Sequence, residues 1–289
     1  MYETGTFAMT YASILAILTG GPDDPLTLSA AAKFLRGGGE VRAVLALAPV
    51  SSPMVLGGLH ISPDVVALIR HGNADARRGT ESLVRETSLR EGLTLAAGGG
   101  RIVFLPERAV AELDMLGETP LCDLIVVAQS TFKSLGLWNG LVSGALLHAG
   151  PPFYIVRRVA PEHGVAVIAW DGSPAAGRAV RAALPLLSEA SKVVLVQDPD
   201  NISATHRLAA DLAGLGAYLK LHGVKEIHTV IQSGLSRGGG LGAAARQARA
   251  DVLIAGAFSH ARAMEALFGG ATDDLLLQPA GDFNLLLVH

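Results

Sequence analysis

Short apolar segments alternate with segments of helical periodicity along the whole chain, and this alternation limits the folds available to it. Val165–Trp170 shows it most clearly, because this apolar run ends in a turn sequence and helical spacing follows. Strands that are apolar on both faces and separated by helices indicate a parallel sheet covered by helices. We predict strands at residues 12–18, 41–47, 101–105, 123–128, 153–156, 165–170, 192–197, 226–231, 251–255 and 283–288.

Helical segments are predicted between these strands. The turn after Trp170 places Ser173 at the N-cap of a helix and Pro174 at its first position. In the first half, an insertion at Pro49–Asn73 precedes the second helix. The predicted helices cover residues 26–35, 77–91, 109–116, 138–148, 175–189, 203–222, 236–250 and 261–278.

The second half of the chain repeats the first half. Residues 122–127 align with residues 250–255 at an offset of 128, and Phe153 aligns with Phe283 at an offset of 130. A nearly constant offset over several elements indicates duplication of one fold. The short polar segment Arg157–Gly164 has the composition of an interdomain linker. We therefore predict two domains, residues 1–158 and residues 164–289.

Composition excludes several classes of protein. Half of the residues are hydrophobic and 17% are charged, which excludes a disordered chain. The net charge of −3 gives no basic field for nucleic acid or an anionic membrane. The single cysteine, Cys122, excludes a disulfide framework, and we interpret it as a small buried residue. Glycine and proline interrupt the two long charge-free stretches, so we expect a cytoplasmic protein with neither a membrane nor a nucleic-acid partner.

Asp171 and a set of glycines are the candidate binding residues. Asp171 follows a predicted strand, and ligands of open parallel sheets bind beyond the carboxyl ends of the strands. A carboxylate there accepts a hydrogen bond from a ribose hydroxyl or an adenine amine. The alternative is that Asp171 only forms the turn of an Asp-Gly pair. Gly256 and the segment Gly269–Thr272 would let backbone N–H groups approach a phosphate. The alternative is a strand-to-helix turn followed by a break in a helix.

Five segments of the second half carry a resemblance to a known family: Val167–Ser173, His222–Val224, Ala250–Arg262, Leu267–Thr272 and Leu285–Val288. On these segments the second half resembles a universal stress protein domain of the UspA type. The resemblance covers residues 160–289 in order, and with the more divergent first half the chain resembles a tandem universal stress protein. It implies two five-stranded parallel α/β sandwiches with strand order 3-2-1-4-5, related by a pseudo-two-fold axis and paired through their last strands.

ATP-binding members of that family carry Gly, two residues, Gly, nine residues, Gly, and then Ser or Thr. These four positions are occupied here by Gly256, Ser259, Gly269 and Gly270. The spacing holds, but the second glycine and the hydroxyl are missing, while Thr272 offers a hydroxyl nearby. Trp170 either stacks on the base or fills the pocket. The resemblance implies a site formed by Ala169, Trp170, Asp171, Ala255, Gly256, Ser259, Gly269, Gly270, Ala271 and Thr272.

The first half departs further from the pattern. Thr19–Pro22 stands in place of Asp-Gly-Ser, and Gln129–Phe132 stands in place of the glycine turn. We therefore predict a scaffold without a nucleotide pocket in this half.

Two functions follow as hypotheses. The first is a stress-response protein whose second domain binds ATP or another adenine nucleotide weakly or not at all, as a sensor or regulator. The alternative is a structural or interaction protein with closed pockets. Neither a catalytic set nor metal-ligand spacing among the nine histidines is visible, so we do not expect an enzyme. The resemblance implies an internal pseudo-dimer, and a homodimer is a further possibility.

Overall fold

A computed structural model describes residues 11–35, 39–47, 55–56, 59–60, 62–93, 100–105, 119–133, 150–235, 239–257 and 282–289. The chain divides into two compact units. One unit is Ala12–Ala145. The other contains the described residues from Gly150 onward, together with Tyr11, whose hydroxyl donates to the carbonyl of Ala182 at 2.7 Å.

The first unit has a parallel sheet with strand order β6-β1-β2-β5. Its central strands are buried, because side chains on both faces are apolar. A separate two-stranded antiparallel ladder, β3 with β4, lies within the predicted insertion. The strands are β1 Ser13–Leu18, β2 Glu40–Leu45, β3 Val55–Leu56, β4 Leu59–His60, β5 Arg101–Leu105 and β6 Leu124–Ala128.

The described helices of the first unit are α1 Asp24–Phe34, α2 Pro63–Arg90 and α3 Ser130–Lys133. The start predicted for α2 at Arg77 is wrong. The helix begins fourteen residues earlier, where the Ser62 hydroxyl accepts from the N–H of Val65 at 3.4 Å and Pro63 takes the first position. The predicted helices 109–116 and 138–148 lie outside the described residues.

The second unit has the strand order β10-β9-β8-β11-β12, followed by β7. The strands are β7 Phe153–Val156, β8 Val165–Ala169, β9 Lys192–Gln197, β10 Ile227–Ile231, β11 Val252–Gly256 and β12 Asn284–Val288. Pairing is parallel throughout, except between β7 and β12. The predicted order 3-2-1-4-5 is confirmed in this half, and the first four strands of the first half have the order 3-2-1-4.

The described helices of the second unit are α4 Pro174–Leu187, α5 Leu212–Leu221 and α6 Gly240–Gln247. The single helix predicted at 203–222 is wrong: a 3₁₀ turn at Ala204–His206 comes first, and α5 starts after Asp211. The Asp211 carboxylate accepts from two backbone N–H groups of the first turn, at 2.8 and 3.1 Å. The helix predicted at 236–250 is shorter at both ends. The one predicted at 261–278 lies outside the described residues.

Strands β7 and β12 pair antiparallel, as the resemblance implies for the last strand of each half. Tyr154 lies opposite Leu286, and all four residues of β7 are buried. The Asn284 side-chain oxygen accepts from the N–H groups of Arg157 and Arg158 at 2.8 and 3.1 Å. The backbone that follows β7 is therefore tied to the start of the last strand.

Candidate functional site

The strand order of the second unit reverses between β8 and β11. From β8 the chain proceeds through β9 to β10 on one side, and it returns to β11 and β12 on the other side. Ligands of open α/β sheets bind outside the carboxyl ends of the strands at this switch point. Asp171 comes shortly after the end of β8, and Gly256 is the last residue of β11. Because β8 and β11 are paired, the fold brings these two predicted residues to one edge.

Asp171 lies in the turn between β8 and α4 and is half-buried. Its Oδ1 accepts from the N–H of Ser173 at 2.9 Å, which is the hydrogen bond of an Asx turn. The Ser173 hydroxyl in turn accepts from the N–H of Ala176 at 3.1 Å, so the predicted N-cap is confirmed. Asp171 therefore shapes the turn with one oxygen. Its Oδ2 has no hydrogen-bond partner among the described residues and can accept a hydrogen bond from a ligand.

Trp170 contributes a buried indole donor at the same edge. Its backbone N–H donates to the carbonyl of Val196 at 2.9 Å, which holds the residue beside the end of β9. The indole Nε1 is buried and has no hydrogen-bond partner among the described residues. Leaving such a donor buried and unpaired costs about 1–3 kcal/mol. A ligand acceptor placed here would recover that cost. Ala169, the last residue of β8, is half-buried next to it.

The segment between β9 and α5 folds over this edge of the sheet. Gln197 donates through Nε2 to the carbonyl of Ala210 at 2.7 Å, and both residues are buried. Gly172 has φ +74°, and a Cβ added to it would lie 2.5 Å from the N of Ala210. The sequence offers little sign of this contact, because Gln197 and Ala210 are thirteen residues apart and neither belongs to a recognisable motif. The consequence is that Ala210 lies directly against the turn that carries Asp171.

Gly256 is required by packing. A Cβ added to it would lie 2.6 Å from the N of Ala176 and 2.9 Å from the carbonyl carbon of Ala175. The backbone of β11 thus approaches the first turn of α4 too closely for any side chain. Ala255 is buried beside it. The remaining predicted site residues lie outside the described residues: Ser259, Gly269, Gly270, Ala271 and Thr272.

The corresponding edge of the first unit is occupied by a side chain of the chain itself. Asp24, at the start of α1, accepts from the N–H of Thr19 at 2.9 Å and from the N–H of Gly20 at 2.8 Å. The carboxylate is only 4% exposed, and burial raises the pKa of Asp24 despite these hydrogen bonds. The backbone donors that follow β1 are therefore already bound to an internal carboxylate.

Cys122 is half-buried, whereas the sequence predicts a small buried residue. Burial raises the pKa of its thiol to about 11. Within the described ranges, no group of three or more His, Cys, Asp or Glu residues is arranged to hold a metal ion. No helix in the part of the chain that the structure describes is both long enough and apolar enough to span a membrane.

Comparisons with known proteins give matches among solved structures. No family model matches the sequence, and no curated protein matches it. The structure of a universal stress protein from Archaeoglobus fulgidus DSM 4304 aligns with 96% of this chain and with 95% of its own length, at 14% sequence identity and a TM-score of 0.66. A protein from Pseudomonas aeruginosa UCBPP-PA14, described as a candidate universal stress protein, matches 96% and 93%, with 14% identity and a TM-score of 0.50.

A universal stress protein solved in complex with cAMP matches 45% of this chain and 98% of its own, with 22% identity and a TM-score of 0.33. The Archaeoglobus structure extends across both halves of this chain. Over 96% of its length, the chain therefore has the fold of the universal stress proteins, as the segments of its second half predict.

Proposed function

We propose that this chain is a cytoplasmic stress-response protein of the universal stress protein type, and that its second half binds an adenine nucleotide weakly as a sensor or regulator. The observation that carries the proposal is the position of Asp171 and Trp170 at the switch point between β8 and β11. The proposed role is binding without turnover.

The two side chains suit different parts of a nucleoside. The free oxygen of Asp171 accepts a hydrogen bond from a ribose hydroxyl or an adenine amine. The Trp170 indole donates a hydrogen bond through Nε1, which has no hydrogen-bond partner among the described residues. Its ring also offers a face on which a base stacks. A half-buried aromatic ring beside a half-buried carboxylate therefore fits a nucleoside better than it fits a free phosphate.

Weak affinity is expected for two reasons. Gly270 stands where the family pattern has a hydroxyl, and losing a charge-assisted hydrogen bond to a phosphate costs about 1.5–3 kcal/mol. At 1.4 kcal/mol per tenfold, this is roughly a ten- to hundredfold loss of affinity. In addition, Asp171 already uses one oxygen in its own turn.

The contact of Ala210 with Gly172 favours a second candidate function. If the segment between β9 and α5 closes the site permanently, the protein acts through partner contacts and binds no nucleotide. The buried bond from Gln197 to Ala210 supports such closure.

Titration calorimetry with ATP, ADP, AMP and cAMP distinguishes the two functions. We expect weak binding that Asp171→Ala abolishes. Asp200→Ala, which removes an exposed carboxylate from the 3₁₀ turn Pro199–Asn201 after β9, should leave this binding intact. The double change Ser259→Gly with Gly270→Ser, which restores the family pattern, is expected to tighten ATP binding roughly ten- to hundredfold.

Absence of binding both before and after restoration would favour the closed interaction protein. Release of ADP or phosphate from ATP, with or without a divalent metal, would contradict the proposal of binding without turnover. Nucleotide that is released on heating the purified protein would identify the natural ligand.

A further inference from the structure

The connection between β9 and α5 is longer than the fold requires. Strand β9 ends at Gln197 and α5 begins at Leu212, so residues 198–211 join them. Connections from a strand to the next helix in α/β units usually have about two to six residues. Longer ones are commonly lids or binding loops. Here the connection returns to the carboxyl end of β8, where Ala210 lies against Gly172. The extra length is therefore placed at the candidate site.

Residues 202–210 of this connection, the lid segment, are held by one hydrogen bond. Among the described residues, the only hydrogen bond that leaves the segment runs from Gln197 Nε2 to the carbonyl of Ala210, at 2.7 Å. The backbone N–H groups of His206 and Ala210 donate to carbonyls within the segment. Ala210 is its only buried residue, and Leu208 is 96% exposed. Segments with so few buried contacts open locally at a low cost in free energy.

The single anchor of the lid segment lies beside the indole donor of the candidate site. Ala169 pairs with Val196, and the N–H of Trp170 donates to the carbonyl of Val196 at 2.9 Å, so Trp170 is level with Gln197. Side chains at the same level of neighbouring parallel strands lie on the same face of the sheet. Gln197 is only 8% exposed and the indole Nε1 is buried. A ligand therefore reaches this donor only after Ala210 moves away.

We propose that the lid segment opens and closes over the end of β8, and that Gln197 is the positioning residue that latches it. The inference rests on the proposed nucleotide function and adds its regulation: the closed lid excludes the ligand, and the ligand binds the open form. One net hydrogen bond shifts such an equilibrium roughly two- to tenfold. Since the apparent dissociation constant rises as the open fraction falls, loss of the latch should tighten binding by up to the same factor.

Limited proteolysis tests the latch without a ligand. Arg207 is exposed within the lid segment, and tryptic cleavage after it follows the fraction of molecules whose lid is open. Gln197→Met keeps the length of the side chain and removes the donor, and we expect cleavage after Arg207 to become roughly two- to tenfold faster. Gln232→Met, which changes an exposed glutamine just after β10, is the matched control and should leave this rate unchanged. An unchanged rate in Gln197→Met would overturn the latch.

Cleavage at a second arginine separates local opening from unfolding. Arg178 lies inside α4, so cleavage after it requires the unit to unfold, and in the same digest its rate should not change. Gln197→Glu is a second variant, which keeps the shape of the side chain and places an oxygen against the carbonyl of Ala210. It should speed cleavage after Arg207 at least as much as Gln197→Met does. Equal acceleration at both arginines in both variants would overturn the proposal of a separate lid.

Calorimetry with ATP on the same proteins tests whether the lid controls access. Gln197→Met should lower the dissociation constant of ATP roughly two- to tenfold, and Gln232→Met should leave it unchanged. A merely structural Gln197 would weaken binding when it is changed, so faster cleavage combined with an equal or higher dissociation constant would overturn the proposal. In the unmodified chain, ATP should speed cleavage after Arg207, because it binds the open form. Faster cleavage in Gln197→Met without ATP binding by any of these proteins would overturn the proposed nucleotide function and leave the latch standing.

Discussion

At the scale of single residues, glycines at the strand ends are used for close packing of backbones. Gly256 lies so near to the first turn of α4 that a Cβ would come within 2.6 Å of a backbone nitrogen. Real Cβ atoms do not occupy such positions, so the backbone itself would have to move. The close fit of β11 against α4 therefore depends on this one missing side chain.

Gly256→Ala is expected to destabilise the second unit by about 1–3 kcal/mol, because overpacking moves backbone as well as side chains. Urea unfolding measures the change. Gly177→Ala is the matched control: Gly177 lies inside α4, and an added Cβ meets only the flexible end of Arg181 at 3.6 Å. This control should stabilise the protein by about 0.5–1 kcal/mol. Equal effects of the two changes would contradict the packing argument.

Cys122 should be a poor nucleophile in the folded protein. Burial raises the pKa of its thiol from 9.0 to about 11, so far less thiolate is present at pH 8. We expect alkylation by iodoacetamide at pH 8 to be roughly a hundredfold slower in the native chain than in urea. Since the folded pKa is the higher one, this thiol's contribution to stability is complete below pH 9 and is lost as the pH rises towards 11. Equal alkylation rates in the native and the urea-unfolded chain would contradict a raised pKa of this thiol.

At the scale of elements, an aspartate ties the first and fourth strands together in each half. Asp123 Oδ2 accepts from the N–H groups of Ala12 and Ser13 at 2.8 and 2.9 Å. Asp251 Oδ2 accepts from the N–H of Val165 at 2.8 Å and also pairs with Arg158. These residues are equivalent at the 128-residue offset, so the duplication extends to individual hydrogen bonds.

Asp251→Ala is expected to cost about 2–3 kcal/mol, and Asp123→Ala about 1 kcal/mol, in urea unfolding. The difference arises because Asp251 is 15% exposed and its loss leaves Arg158 without its carboxylate partner, whereas Asp123 lies at the surface. Asp123→Asn is the control. Both N–H groups donate to one oxygen of Asp123, and an amide retains such an acceptor, so this change should cost less than Asp123→Ala. A larger cost for Asp123→Ala than for Asp251→Ala would contradict this account.

At the scale of the whole molecule, the segment 157–164, predicted to be a linker, is anchored at its beginning and exposed further along. Arg157 is half-buried over the ring of Phe283, at 5.4 Å, and burial lowers the pKa of its guanidinium to about 10. Pro161, Glu162 and His163 are exposed. Because β7 precedes this segment and pairs with β12, the ladder joins parts of the chain from both sides of it.

A site-specific protease sequence inserted after Glu162 should be cut readily, and the two fragments should still elute together in native buffer. The buried ladder of β7 with β12 and the Asn284 hydrogen bonds hold them. The fragments should separate in urea, and the uncut insertion variant is the control. Separation of the fragments without denaturant would show that the ladder is too weak to hold the chain together.

The sequence predicts most of the sheet, because buried parallel strands need apolar residues on both faces and few segments satisfy this. Strands β8, β9 and β11 lie within one residue of their predicted bounds. The Ser173 cap was predictable as well, since it depends on residues three apart. The start of α2 at Ser62 and Pro63 carries the same kind of local signal, and the helical spacing alone did not reveal it.

The sequence by itself determined the alternating α/β order, the duplication and the placement of Asp171 at the end of a central strand. Only the tertiary structure decided what surrounds that aspartate. Residues 203–222 have helical spacing, yet their first part leaves the helix and packs Ala210 against Gly172 and Gln197. The tertiary structure likewise decided that Asp24 accepts hydrogen bonds from the backbone N–H groups that follow β1. The physical reason is that periodicity reports which residues one element buries, whereas the groups that meet at a strand end come from separate elements.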